Sequence, residues 1–256
     1  MNYGLKNNMI KRKKQVADVA RRIAQVVLLL IILVFLSGCL NYTRPTPLNQ
    51  AAWDNDVAKM DALLDDGAVI DDMGTNPNGV RLATALDTAI VQGNIEATKF
   101  ILKSGADVNL SRFCCANTPN GEYVFKGSAL MLASLIGNVR LTEILLEAEA
   151  DIEQLSTKDP RTYGFSGYDA CYFSSELGHI DVVKLLLKHG ADINKKYKNG
   201  DKSAYTALAR GHIDYLIVLI KNGLAIEPDT EWAHYNAEIA HLAALYSGWW
   251  GQMRQW

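Results

Sequence analysis

Apolar residues in this chain recur in paired short blocks with helical spacing, and the clearest block runs from Ile180 to Lys188. There the charges Asp181, Lys184 and Lys188 recur on one side of a 3.6-residue spiral, and Val182, Val183, Leu186 and Leu187 hold the other side. Such a helix must lay its stripe against a neighbour. The block before it starts near Asp169-Ala170-Cys171-Tyr172 and closes on Gly178-His179; the block itself closes on Gly190-Ala191-Asp192-Ile193-Asn194. Glycine just past a helix supplies a left-handed C-cap, so the pattern predicts helix, turn, helix, cap. It is written five times, starting near residues 46, 84, 128, 169 and 202.

The first copy opens with Thr46-Pro47-Leu48-Asn49-Gln50-Ala51-Ala52 and ends on Leu63-Leu64-Asp65-Asp66-Gly67-Ala68. Thr caps a helix N-terminus, Pro fits its first turn, and paired alanines let antiparallel helices approach closely. The second runs from Thr84-Ala85-Leu86-Asp87 through Gly93-Asn94 to Gly105-Ala106-Asp107-Val108-Asn109, the third from Ser128-Ala129-Leu130-Met131 through Gly137-Asn138 to Ala150-Asp151-Ile152. The fifth runs from Lys202-Ser203-Ala204-Tyr205 through Gly211-His212 to Asn222-Gly223-Leu224-Ala225. These motifs resemble ankyrin repeats over residues 46 to about 227. The resemblance implies an all-α ankyrin-repeat solenoid of about five helix-turn-helix repeats with long β-turn fingers, each repeat burying its face on the next.

Departures from the pattern carry information. Glu149 stands where glycine should cap the third copy, which predicts a looser turn, because a left-handed non-glycine residue costs about 1 kcal/mol. Successive copies start 38, 44, 41 and 33 residues apart, so only the last keeps the period of about 33. The extra residues fall in the connections that form the fingers: Met73 to Gly79, Ser111 to Gly127 and Gln154 to Gly167. Pro77-Asn78-Gly79 and Pro119-Asn120-Gly121 predict hairpin turns, since Asn and Gly tolerate positive φ. The two longer fingers and their flanks hold Phe113, Tyr123, Phe125, Arg161, Tyr163, Phe165 and Tyr168, the candidate partner-binding residues; aromatic side chains are enriched at interface hot spots, and they also fill hairpins.

Past residue 228, Trp232, Tyr235, Ile239, Leu242 and Leu245 keep a helical spacing, which predicts a C-terminal capping helix; Trp249, Trp250 and Trp256 follow in the tail. At the other end, residues 1 to 38 carry seven Lys/Arg and one acid, then an apolar run from Val26 to Leu36. Eleven residues are too few to cross a bilayer, which takes about 20, and suit a signal's hydrophobic region. Leu36-Ser37-Gly38-Cys39 resembles the bacterial lipobox, which implies a cleaved signal over 1–38, lipidation of Cys39 and a tether over 39–45. A plain cleaved signal, an uncleaved anchor from Ile23 to Leu40, and a twin-arginine signal at Arg21-Arg22 are the other readings of this segment. Leu40 in place of Asp implies, by the sorting rule of such lipoproteins, a periplasm-facing place in the outer membrane.

Composition then narrows the function. Beyond residue 38 the chain has 19 basic and 27 acidic groups, a formal charge of −8, which argues against phosphate-tracking nucleic-acid binding. Cys114, Cys115 and Cys171 are the candidates for a disulfide: a bridge from the long finger to Cys171, a vicinal Cys114-Cys115 ring, or none, with Cys171 a small core residue. Glu231, His234, Glu238 and His241 share a helical face and are read as the wet side of the cap rather than as a metal site. Asp169, Ser174, Ser175 and His179 contain the residue types of a catalytic triad, and repeat geometry accounts for them without one. No nucleotide loop or nucleophile elbow is present in the sequence. The expectation is a non-enzymatic, cofactor-free, lipid-anchored module that binds protein partners, as a scaffold or retention factor, or as an immunity protein against a toxin delivered to the periplasm.

Overall fold

The computed structural model describes residues 45–75, 81–118, 121–158, 166–198, 202–225 and 237–242, all within one compact unit, Arg44–Trp256. Cys39 and the basic leader lie outside the described residues. Five helix pairs follow one another: α1 Pro47–Trp53 and α2 Val57–Asp65; α3 Ala85–Gln92 and α4 Ile95–Lys103; α5 Ala129–Ile136 and α6 Val139–Glu147; α7 Ala170–Leu177 and α8 Ile180–Lys188; α9 Ser203–Ala209 and α10 Ile213–Lys221. A last helix, α11, spans 237–242.

Each first helix has as its N-cap the residue where the copy begins. Thr46 Oγ1 accepts the amide of Asn49 and Pro47 occupies the first turn. Thr84 and Asp87 exchange hydrogen bonds in a full capping box, and Asp169 accepts the amide of Tyr172. Left-handed Gly93, Gly137 and Gly178 stop helices α3, α5 and α7. Past the second helices, Gly67, Gly105, Gly190 and Gly223 share φ near 93°, and Glu149 takes the same station at φ 61°. Glutamate therefore bears the left-handed strain expected of it.

First helices contact first helices along the stack, and second helices contact second helices. Close approach is set by Ala51, Ala89, Ala133 and Ala207, all without exposed surface at one equivalent station. Ser174 holds that station in α7. Its hydroxyl meets the hydroxyl of Tyr215 at 2.8 Å, and Tyr215, itself fully buried, stands where the other second helices carry Lys59, Ala97, Leu141 and Val182. A polar pair thus fills the layer in place of an apolar one.

Two ladders of polar bonds join successive repeats. At the helix–helix turn, Asn94 Nδ2 donates to the carbonyls of Ala52 and Trp53, His179 Nε2 lies 2.9 Å from the Leu135 carbonyl, and His212 Nε2 lies 3.1 Å from that of Glu176. At the opposite turn, Asp71, Asn109, Glu153 and Asn194 accept the amides of Asp107, Asp151, Asp192 and Ala225 in the next repeat. A side-chain acceptor at the third position of each cap, Asp71, Asn109, Glu153 or Asn194, is what makes that ladder continuous.

Two fingers fold as antiparallel hairpins, β1 Gly74–Thr75 on β2 Arg81–Ala83 and β3 Arg112–Thr118 on β4 Gly121–Gly127. In the third finger, Thr157 bridges Lys126 of β4, and Ser156 exchanges backbone bonds with Gly167 and Tyr168. Its centre, 159–165, lies outside the described residues. In α11, Ile239 is buried and belongs with Tyr215, Leu216 and Leu219 to one apolar cluster, against which Leu242, Val218 and Ile220 pack; Trp232, Tyr235 and Leu245 lie outside the described residues.

Candidate functional site

The long finger is fixed to the stack at its base. Arg112, the first residue of β3, is buried with its Nε 2.6 Å from Asp87 Oδ2 on α3, and its guanidinium also donates to the Leu110 carbonyl. The same Asp87 oxygen accepts the amide and hydroxyl of Thr84, so one carboxylate both starts α3 and holds the finger. Breaking a buried pair of this kind leaves an uncompensated charge and costs about 3–5 kcal/mol. On β4, Phe125 has no exposed surface and stacks on Phe173 of α7 with ring centroids 4.2 Å apart. Gly127 lets this packing close, because a Cβ there would collide with the Phe125 ring and with Met131.

Beside this base stands a second cluster. Tyr168 stacks on Tyr172 at 3.7 Å, and Tyr197 meets both edge-on at 5.2 and 5.5 Å. Asp169 binds the cluster to the turn ladder: it accepts the Tyr197 hydroxyl at 2.7 Å and pairs with Lys195 at 3.2 Å, which pairs with Glu153 at 2.5 Å. Partial burial works against the Lys195 charge, but the bonds and charges of Glu153 and Asp169 outweigh it and raise the ammonium's pKa. Burial and the neighbouring Asp169 charge push the Tyr197 phenol well up, so it stays a hydroxyl donor.

These geometries sort the candidate residues. Phe125 is corrected from a partner contact to a core residue, because its ring is wholly enclosed against Phe173. Tyr168 is half-buried in the tyrosine cluster. Phe113 and Tyr123 are placed by register alone, opposite Lys126 and Ala116. Arg161, Tyr163 and Phe165 lie outside the described residues. Cys171 is a buried free thiol whose pKa is pushed well up by burial and by Asp169, which corrects the bridge from the long finger to this residue. Cys114 and Cys115 occupy consecutive positions of the regular strand β3, opposite Phe125 and Val124.

No triad forms. Ser174 Oγ is engaged with Tyr215 and the Cys171 carbonyl, Ser175 with the Tyr172 carbonyl, Asp169 with Tyr197 and Lys195, and the His179 ring with Leu135. Because a carbonyl can only accept, Nε2 of His179 and of His212 carries the proton. Among the described residues no three His, Cys, Asp or Glu side chains converge as metal ligands, and no helix is long and apolar enough to cross a membrane. Glu238 and His241 lie in α11; Glu231 and His234 lie outside the described residues.

Sequence reasoning missed the Asp87–Arg112 anchor and the Tyr197 contact. An acid at the third position of a capped helix and an arginine opening the next finger were the available signals. The Ser174–Tyr215 pair was missed as well; its signal was a polar residue at a station that is alanine in the other four copies.

A model of the ankyrin repeat matches residues 82–112, and a model of three successive ankyrin repeats matches residues 113–197. Residues 82–197 are ankyrin repeats. The helix pairs before and after them extend the same ankyrin stack, giving an all-α ankyrin-repeat solenoid. A stretch of 118 residues, 46% of this chain, is 31% identical to the "Ankyrin repeat and KH domain-containing protein mask" of Drosophila melanogaster. The chain spans only 3% of that protein's length, so the likeness concerns the repeats alone.

Proposed function

We propose that this chain is a protein-recognition module whose contact surface is the long finger β3–β4 held rigidly on the ankyrin stack. The observation that carries the reading is the finger's base: a buried Arg112–Asp87 pair and a buried Phe125–Phe173 stack hold a hairpin that the repeat itself does not require. Preorganisation of this kind lowers the ordering cost of binding. The hydroxyls of Ser174 and Ser175 are engaged within the stack, which favours a binding role over catalysis.

The module is anchored in a bacterial envelope by lipid on Cys39 and faces the periplasm. Supporting this are the apolar run Val26 to Leu36, the lipobox Leu36-Ser37-Gly38-Cys39 and the short tether to Thr46. Its role is that of a scaffold or retention factor. The −8 formal charge beyond residue 38 favours a basic partner, which also fits an immunity protein that neutralises a basic periplasmic toxin.

A photo-crosslinking residue placed at Phe113 or Tyr123 in the full chain, expressed in a bacterial host with its envelope intact, tests the site. One protein crosslinked from the finger and absent from a probe placed at Lys99 on α4 is the expected result. Equal crosslinking from both positions would sink the finger as the contact surface. Incorporation of labelled palmitate that is lost in Cys39→Ser tests the anchor; an unaltered chain that takes up no label contradicts it.

A further inference from the structure

Beside the last helix pair, α11 leaves a groove that its own residues do not fill. Leu208 of α9, Ile213 at the start of α10, and Ala237 and Leu242 of α11 give it an apolar wall, joined by Glu238 and His241, around about 450 Å³. A cavity of that order is large enough to enclose a drug-sized group. Leu208 and Leu242 pack at the edge of the cluster that holds Tyr215 and Leu216, yet both stay half-buried. Among the described residues of α11 only Ile239 is fully buried. Every earlier repeat is covered by a following helix pair, whereas this one has a single short helix against it.

The residues that follow Leu242 in the sequence match what the groove lacks. Trp249 and Trp250 come seven and eight positions on, with Gly248 before them free to turn the chain back. Seven residues span at most about 25 Å, so the pair is within reach of a wall that Leu242 itself helps to form. An indole has a large apolar body and one N–H donor, and the groove offers apolar walls and the Glu238 carboxylate as an acceptor. Attachment to the same chain also gives the pair an effective concentration in the millimolar range, above that of a separate partner.

We propose that this groove is the seat of the Trp249–Trp250 pair, with an indole N–H donating to Glu238. The stack then closes on its own tail at the last repeat instead of offering that face to a second copy or to a membrane. The proposal is independent of the finger reading.

The test uses the full chain, in detergent and in vesicles of phosphatidylethanolamine and phosphatidylglycerol, with the photo-crosslinker benzoylphenylalanine in place of Trp250. Mixed isotope-light and isotope-heavy chains distinguish links within one chain from links between two. The expected product joins the probe to the tryptic peptides 203–210 or 211–221 of the same chain, which hold Leu208 and Ile213. Ala237→Trp fills the groove from an exposed position of α11 and lowers that product at least fivefold. Glu147→Trp, the same bulk at an exposed position of α6 outside the groove, changes it less than twofold. Melting of both variants checks that the stack is intact.

A product that Ala237→Trp leaves unchanged reports tethered proximity alone and overturns the proposal, as does the absence of any link to the two peptides. Links between light and heavy chains give the groove to a second copy. Links to lipid that replace the intrachain product in vesicles give the tryptophans to the membrane. Either result overturns the proposal as well.

Discussion

A few side chains decide more than their number suggests. Asp87 caps α3 and holds Arg112, so removing either partner strands a charge in the core. Arg112→Ala should cost about 3–5 kcal/mol by chemical denaturation, against about 1 kcal/mol for Tyr215→Phe, which removes one hydroxyl from the Ser174 and Cys171 carbonyl contacts. Glu149→Gly should act in the other direction, raising stability by about 1 kcal/mol by relieving a left-handed glutamate. A loss of stability there would show that the glutamate makes a contact worth more than the strain.

Elements show where sequence reading succeeds. Helix starts and glycine caps were legible because Thr46, Thr84, Asp169 and the cap glycines act on their own immediate backbone, through rules that need no tertiary knowledge. The paired strands β1–β2 and β3–β4 flank the two turn signals, while Pro77-Asn78-Gly79 and Pro119-Asn120 themselves lie outside the described residues. What a finger rests on was not legible, because Arg112 reaches a partner 25 positions earlier and Phe125 one 48 positions later, and nothing local marks either. That is why Phe125 reads as a binding residue in sequence and proves to be core.

The helix–helix turns make their own predictions. Gly137 and Gly105 are both left-handed, but a Cβ on Gly137 would overlap the His179 ring whereas one on Gly105 meets nothing within 4 Å. Gly137→Ala should therefore lower the melting temperature clearly more than Gly105→Ala; equal effects would mean that the ring yields freely. Burial lowers the pKa of His179, outweighing the Leu135 carbonyl that raises it, with His212 adding to the lowering. The unfolded chain then binds the extra proton first, so stability falls as the pH drops below about 6.5. His179→Asn, the residue type at the same station in two other repeats, should keep the staple and shrink that slope. An unchanged slope would assign it to other groups.

On the scale of the molecule, the ankyrin stack is a straightforward consequence of repetition, and its function lies in what the repeats carry beyond the common pattern. The extra residues of the long finger and the polar layer in α7 are such additions. A finger that is to recognise a partner must hold its shape before the partner arrives. Register places the amides of Cys114, Ala116, Tyr123 and Phe125 in mutually bonded pairs, with Lys126 facing outward to Thr157. Amide hydrogen exchange of the free full-length chain measures this directly. These four amides should be protected nearly as well as those of α5, and Arg112→Ala should release them while α5 stays protected. Fast exchange of the four in the unaltered chain, or protection indifferent to Arg112, would contradict a preformed finger anchored on the stack.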